Sequence, residues 1–417
     1  MFVIVALILI IDLLSFKGLQ RVFQNKSRRF RYILYALHWF VPVVLLVLSY
    51  IFSISLKEQV NAAATNKLFI TGGIFFLFYV PKLIFIAFHI AEDILKALIY
   101  LIYKVKQLVQ SKNSDKKDMP LSRMKFISTM GLGIAAIPFI SILGGMINGR
   151  FHFRIVRLKQ SFPDLPESFN GLRIVQISDI HISSFYNNSD KLKYAVELIN
   201  NEKPDLILFT GDMVDNYAEE MNGFIDILAS LKAKMGKYSI LGNHDYGDYK
   251  SWPTEEAKKE NHNKMLYYQE LSGFKLLLND AVSLESGNGR IGLIGVENWG
   301  KPPFVQYGDF TKARAKVKDL DFTILMSHDP SHWDAEIIGK KNVQLTLSGH
   351  THGMQFGIEK GNIKWSPVQY IYPRWAGLYK EGDQYMYVNR GLGCIGFPAR
   401  IGIAPEITVI ELETENA

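Results

Sequence analysis

The 417-residue sequence has a single cysteine, Cys394. That excludes an internal disulfide and any metal site built from thiolates, and Cys394 reads as a core residue. Acidic residues are scarce in the first part of the chain. Up to residue 150 there are 6 Asp and Glu against 18 Lys and Arg, a net +12, whereas the remainder holds 34 against 29, a net −5. The larger C-terminal part therefore lacks the basic track that a phosphate-rich polymer requires, which argues against nucleic acid as its partner. The excess of basic residues sits between apolar runs, a pattern of membrane topology.

Those runs are Phe2 to Phe16, Tyr32 to Leu56, Leu68 to Ile90 and Phe126 to Ile147. The last three reach the roughly 20 residues that a helix needs to cross a hydrocarbon core of about 30 Å. The first is shorter and carries Asp12. It lacks the basic start and small-residue cleavage site of a signal peptide, so it reads as a spanning or anchoring helix. Ile94 to Tyr103, with Glu92, Asp93 and Lys96 nearby, reads as an amphipathic continuation of the third run. Residues 1–148 are thus expected to form a transmembrane region of about four helices.

Loop charge sets the expected orientation, because Lys and Arg stay on the cytoplasmic side. Lys17, Arg21, Lys26, Arg28, Arg29 and Arg31 follow the first run, only Lys57 and Lys67 follow the second, and a long basic stretch ending in Arg123 and Lys125 precedes the fourth. The amino terminus, and everything after about residue 148, is then expected outside the cytoplasm. Arg150, Arg154 and Arg157 would lie just outside the membrane, within reach of lipid phosphates. His38 and His89 fall inside apolar runs with no partner evident, and read as helix packing.

From residue 151 the texture changes. Arg173 to Ser178, Asp205 to Thr210 and Tyr238 to Leu241 are short apolar runs bounded by turn residues, separated by helix-like segments at Asp190 to Asn201 and Glu219 to Lys234. That rhythm predicts an α/β domain over residues 151–417 with a buried sheet. Its polar residues gather where the strands end, the edge at which α/β sheets bind ligands. Five such ends read ISDIH, FTGDMVD, LGNHD, MSHDP and SGHTHG. Gly-Asp and Gly-Asn are ordinary turn dipeptides, so one such end says little, but five are hard to assign to turns alone. In the last, His350 and His352 stand one residue apart; in extended chain they would point to the same side, with Thr351 away. The motifs hold five histidines, several carboxylates and one asparagine amide without a thiolate, a donor set for two ions that suits manganese, iron or zinc. His262 and His332 match no motif and read as surface or supporting residues.

In this order the blocks D-x-H, G-D, G-N-H-D, an isolated H and G-H-x-H resemble the calcineurin-like metallophosphoesterases, over about residues 173 to 412. GHTHG, the RGLG stretch from Arg390 and Pro405-Glu406 resemble the membrane-associated subfamily, in which a second glycine commonly follows GHTHG where this chain has Met354. The resemblance implies a four-layer β-sandwich flanked by helices and two divalent ions. One would be held by Asp179, His181, Asp212 and His352, the other by Asp212, Asn243, His328 and His350, with Asp212 bridging. It further implies that His244 contacts the transferring phosphoryl group, its ring held by the carboxylate of Asp215 or, failing that, of Asp245.

The activity so implied is metal-dependent hydrolysis of a phosphoester or pyrophosphate by an integral protein of a bacterial inner or plasma membrane. Ile363 to Tyr379, with Trp365, Tyr370, Tyr372, Arg374 and Trp375, suits either a membrane interface or a wall of the substrate cleft. A small amphiphilic substrate follows, lipid-linked or nucleotide–lipid; pyrophosphate cleavage of UDP-2,3-diacylglucosamine in lipid A assembly is a candidate from the same subfamily, although it needs a site facing the cytoplasm. The alternatives are a non-catalytic module that binds phosphorylated ligands and a nuclease of the same superfamily.

Overall fold

Apolar runs without a polar face make helices in the first part of the chain. In a computed structural model, which describes residues 2–58, 62–109, 125–361 and 363–415, these are α1 (Phe2–Val22), α2 (Arg28–Glu58), α3 (Ala62–Val109) and α4 (Lys125–Ile147). The chain divides into two compact units, Met1–Glu58 with Leu68–Gly144 and Gln59–Lys67 with Gly145–Ala417. Among the described residues, three helical segments, Arg28–Phe52, Asn66–Lys106 and Phe126–Phe151, are long and apolar enough to cross a membrane. The second runs 41 residues, about 60 Å at 1.5 Å per residue and roughly twice the thickness of a hydrocarbon core. Beyond Ile90 the helix continues through Glu92, Asp93 and Lys96 into Leu98, Ile99, Tyr100 and Leu101, each exposed in succession.

Several ionisable residues of this first unit have partners that sequence did not reveal. Asp12 is fully buried and accepts from Tyr79 Oη at 2.9 Å and Lys82 Nζ at 2.5 Å, while His38 Nε2 lies 3.1 Å from the Asp12 carbonyl oxygen. One turn cluster further along the same two helices, Arg21 meets Asp93 at 2.6 Å and His89 at 3.1 Å. Asp12 and Arg21 of α1 thus face Lys82 and Asp93 of α3 in the same order, so α1 and α3 run parallel. His38 and His89 belong to these ionic clusters and are not merely packing residues. Buried charge in such a setting is costly unless paired.

The second unit contains two six-stranded sheets. β1 (Arg154–Phe162), β14 (Glu406–Thr414), β2 (Arg173–Ile177), β3 (Leu206–Phe209), β4 (Gly236–Ser239) and β5 (Lys275–Leu276) form one, in that order. The other runs β12 (Gly377–Glu381), β13 (Gln384–Val388), β9 (Leu345–Ser348), β8 (Thr323–Met326), β7 (Gly289–Gly295) and β6 (Asp280–Ser286). β10 (Ile358–Lys360) and β11 (Ile363–Trp365) make a separate antiparallel hairpin.

Alternation along each strand explains the layering. Ile174, Leu206 and Leu208 of the first sheet, with Ile240 just past β4, meet Ile291, Leu293, Ile324 and Leu347 of the second in one core. The intervening Val175, Ile177, Ile207 and Phe209 point the other way, onto α5 (Ser189–Asn201), α6 (Ile225–Ala229) and α7 (Glu255–Leu271). Ile294, Leu325, Met386 and Val388 likewise leave the second sheet toward α8 (Phe310–Arg314) and Trp333. Strands buried on both faces are apolar without a gap, the reason these runs looked continuous in sequence. The result is the four-layer arrangement expected. The helix expected over Glu219 to Lys234 is mostly absent: only Ile225–Ala229 is α-helical, because Gly223 takes a left-handed φ of 83° and breaks the run.

Candidate metal centre

β2, β3, β4, β8 and β9 are parallel neighbours within their sheets, so their carboxyl ends fall on one edge of the sandwich. The chain leaves these ends steeply. Asp179, His181, Asp212, His350 and His352 all have left-handed φ, at 49°, 40°, 61°, 70° and 49°. Such conformations cost on the order of 1–3 kcal/mol each for non-glycine residues and persist where surrounding structure enforces them, most often at functional sites. Here the enforcing bonds are main-chain ones, Asp179 N–H to the Gly211 carbonyl at 2.9 Å and His181 N–H to that of Asp212 at 3.2 Å. Two glycines permit the close approach. A Cβ at Gly242 would stand 2.2 Å from Asp212 Oδ1, and one at Gly349 would stand 1.9 Å from Ser178 Oγ.

The backbone also corrects the reading of GHTHG. β9 ends at Ser348, and His350 and His352 lie beyond it in a tight turn. They do not share a face as alternate residues of a strand; the turn sends them to two different clusters. Thr351 is fixed by its hydroxyl, which donates to the Trp375 carbonyl at 2.6 Å. Met354 occupies another left-handed position, with φ of 55°, and exposes half of its surface.

Two groups of side chains with the chemistry of metal ligands result. Asp179, His181 and His352 have donor atoms within 4.8 Å of one another, and so do Asp212, His328 and His350. Asn243 belongs with the second, its Oδ1 lying 3.1 Å from His328 Nε2 and 2.8 Å from His350 Nδ1. Asp212 stands between the groups, Oδ2 being 3.6 Å from His181 Nε2 and 3.1 Å from His328 Nε2. All of them are buried except His350, which is largely so.

Each imidazole uses one nitrogen to fix itself and leaves the other for the cluster. His181 Nδ1 is 2.8 Å from Asp215 Oδ1, whose other oxygen accepts from Ser183. His328 Nδ1 is 2.7 Å from the Thr210 carbonyl. His350 Nε2 is 2.8 Å from Tyr372 Oη. His181 Nε2 and His352 Nε2, both buried, have no hydrogen-bond partner among the described residues. An orphaned buried nitrogen costs about 1–3 kcal/mol, and two of them beside carboxylates fit a bound cation. The electrostatics agree. Burial alone would raise Asp179, but the His352 imidazole outweighs it and holds the carboxyl down to about 2. For Asp212 burial is likewise overcome, by His328 and His244. His181 rises to about 9 against its burial, through Asp215 and Asp212.

The position of Asp215 corrects one expected role. Its carboxylate holds His181, while His244 is held by the Asp215 main-chain carbonyl, 2.8 Å from Nδ1. A carbonyl can only accept, so Nδ1 carries the hydrogen and Nε2 is the ring nitrogen left for exchange. Burial lowers the His244 pKa. Asp245 does not reach that ring either. It accepts main-chain N–H bonds from Gly242, Asp212 and Met213 at 2.9, 2.9 and 2.8 Å and so clasps two strand-end loops together.

Tyr372 and Asp329 lie in stretches that the sequence singles out, but their contact with His350 was not legible there; Tyr249 and Arg400 carried no local signal. Tyr372 and Asp329 both approach His350 Nε2, the latter at 3.6 Å. Tyr249 Oη accepts from Asn243 Nδ2 at 2.8 Å. Buried Arg400 lies 3.5 Å from His352 Nδ1. Of the unassigned histidines, His332 is buried against Trp299, ring centroids 4.9 Å apart, and half-buried His262 stacks on Tyr246. The aromatic segment 363–379 divides. Tyr370 is exposed, Tyr372 reaches the centre, and Trp375 is a core residue packed with Val368, Ala376 and Ile403. Cys394 is buried.

A strand-edge site of paired His and Asp clusters sharing one carboxylate, on a sandwich of two mixed sheets, defines a metallophosphoesterase-type centre. Residues 172–354 match the model for calcineurin-like phosphoesterase, and residues 1–150 match that for a probable calcineurin-like phosphoesterase transmembrane domain. The chain is 35% identical over 262 residues to the metallophosphoesterase YkuE of Bacillus subtilis (strain 168), an alignment covering 60% of this chain and 82% of that protein. It is 29% identical over 280 residues to a transmembrane protein with metallophosphoesterase domain from Danio rerio, covering 64% of this chain and 59% of the fish protein. A metallophosphoesterase of Aquifex aeolicus (strain VF5) is 26% identical over 282 residues, 98% of its length. The chain belongs to the calcineurin-like metallophosphoesterases, as a membrane-associated member.

Proposed function

We propose that this protein is a hydrolase of phosphoester or pyrophosphate bonds in small amphiphilic substrates, lipid-linked or nucleotide–lipid, and that it works with two divalent ions. Asp179, His181 and His352 would hold one ion, Asn243, His328 and His350 the other, and Asp212 both. When bound, such ions supply Lewis acidity toward a phosphoryl group and a lowered pKa for water. Manganese, iron and zinc all suit these donors. His244, fixed through Nδ1, presents Nε2 to a phosphoryl oxygen or leaving group, and Asp215 and Asp245 keep His181 and the loops in register.

The observation that carries the substrate class is the cavity beside the centre. About 390 Å³ in volume, it is lined by Trp299, Pro302, Pro330, Ile371 and Tyr372, with Lys301, Asp334 and Arg374 as its charged residues. Tyr372 is also the residue on His350. An apolar wall next to a phosphoryl-binding centre suits a substrate with a phosphate at one end and a greasy group at the other. The net −5 of residues after 150 weighs against a nuclease, and the complete donor set weighs against a module that only binds.

Loop charge favours a catalytic domain outside the cytoplasm and hence a lipid-linked phosphoester; a UDP-2,3-diacylglucosamine-type pyrophosphate requires the opposite side. Labelling of single cysteines placed between Lys301 and Lys318, on whole cells, separates the two. The substrate class is tested with full-length protein purified without chelator and assayed on lipid phosphoesters, a nucleotide–lipid pyrophosphate, their water-soluble headgroups and plasmid DNA. We expect kcat/KM for an amphiphile at least about tenfold above that for its headgroup. Equal values would remove the amphiphile, and no turnover of anything by metal-loaded protein would leave the binding module.

A further inference from the structure

Past His352 the chain makes an excursion that the sandwich core does not use. It runs through Phe356 into the β10–β11 hairpin and returns by Tyr370 and Ile371 to Tyr372 at the cleft. The hairpin register sets Ile358 opposite Trp365 and Lys360 opposite Ile363, so these four share one face, and Glu359 and Lys364 share the other. The second face is tied down. Glu359 accepts from Arg154 at 3.0 Å and from Arg390 at 2.5 Å, and Lys364 lies over the Trp375 ring at 5.0 Å. The first face is open: Ile358 is 51% exposed and Ile363 is 62% exposed. Apolar surface continues through Phe356, whose ring is 6.3 Å from Trp365, to Tyr370 and Ile371, 77% and 61% exposed. Scattered apolar residues on a surface are ordinary, but a run of this kind on one projecting element marks a contact site.

We propose that this hairpin face docks on a lipid bilayer and seats the mouth of the cleft at headgroup level. Three observations select a membrane as the occupant. Arg154, the residue that grips Glu359 at the base of the hairpin, follows the last residue of α4 by seven positions, at most about 25 Å of extended chain; the hairpin therefore stays within reach of wherever a membrane-crossing α4 emerges. The composition is that of an interfacial element, aliphatic and aromatic side chains flanked by a lysine, Lys360, able to snorkel toward phosphates. The face is also continuous with the cleft, since Ile371 belongs to both. An amphiphile could then pass from bilayer to centre without crossing water. The docking does not depend on what the centre hydrolyses.

The test uses the full chain in nanodiscs of phosphatidylcholine and phosphatidylglycerol, with an environment-sensitive fluorophore on Ile363→Cys and, separately, on Asp319→Cys, an exposed position at the strand-entry edge of β8, away from the site. The expected result is that spin-labelled lipids quench the first probe several-fold more than the second, while aqueous iodide does the reverse. Iodide quenching equal at both positions would overturn the proposal. So would a probe at 363 shielded from both quenchers, which would mean that a protein surface covers the face. Adding Ile358→Asp should reduce the lipid quenching at 363 to the level at 319; undiminished quenching would show that the tether, and not the apolar face, holds the hairpin there, and would also overturn it. None of these readings uses turnover, so a wrong substrate class leaves them intact.

Discussion

Asp215 Oδ1 lies 2.8 Å from His181 Nδ1, and Asp215 O lies 2.8 Å from His244 Nδ1. One residue thus orients two histidines of different roles, one by its side chain and one by its backbone. The arrangement separates functions that sequence alone merged, because only the side-chain contact is lost on mutation.

Asp215→Asn is accordingly expected to act on the metal centre and to leave the His244 ring in place. Loss of such a supporting carboxylate typically weakens metal binding about 10- to 100-fold. Metal analysis after dialysis against a competing chelator measures it. Unchanged metal retention would mean that the Asp215–His181 contact does not matter to binding.

His244→Gln should lower turnover by about 10²- to 10⁴-fold, the usual worth of a positioned proton-transfer group, with metal content unchanged. If the variant instead loses metal, His244 is a ligand. The Gln is chosen because its amide can still fill much of the imidazole volume beside His181, whose ring centroid is 5.1 Å away.

Lys237 gives a pH prediction remote from the metal centre. Its Nζ donates to the carbonyls of Leu228, Ala229 and Ser272 at 3.2, 3.2 and 2.8 Å, and burial lowers its pKa from 10.5 to about 8. Between those values the unfolded chain keeps the proton and the folded chain has released it, so the unfolded state binds more protons and stability should rise with pH over that window. Below about pH 8 both states are protonated and the contribution is constant. Denaturation of wild type and Lys237→Met at pH 8 and pH 10 should show the rise in the first and its absence in the second. Parallel curves would place the shift elsewhere.

Much of this molecule was legible as sequence. Runs such as LILF at 206–209 are apolar because both faces of the sheet are covered, and strand period plus turn residues locate them. The ligand-type residues follow directly because a strand end is where backbone turns and polar groups reach the surface. Glu219 to Lys234 failed for a local reason, as one left-handed glycine outweighed helical periodicity. Arg400 had no periodicity or neighbour to mark it, the approach of Tyr372 and Asp329 to His350 spans separate loops, and the ionic partners of His38 and His89 sit on other helices.

The amino-acid sequence by itself determined which chemistry is available, nitrogen and oxygen donors without sulfur behind a set of membrane-length apolar runs, since composition and order need no coordinates. Tertiary structure alone decided how that chemistry is shared out: which carboxylate serves which imidazole, that His350 and His352 part company at a tight turn, that Trp375 is core while Ile363 is surface. Those outcomes depend on distances between residues far apart in the chain, and loop backbone angles set by long-range hydrogen bonds fix them.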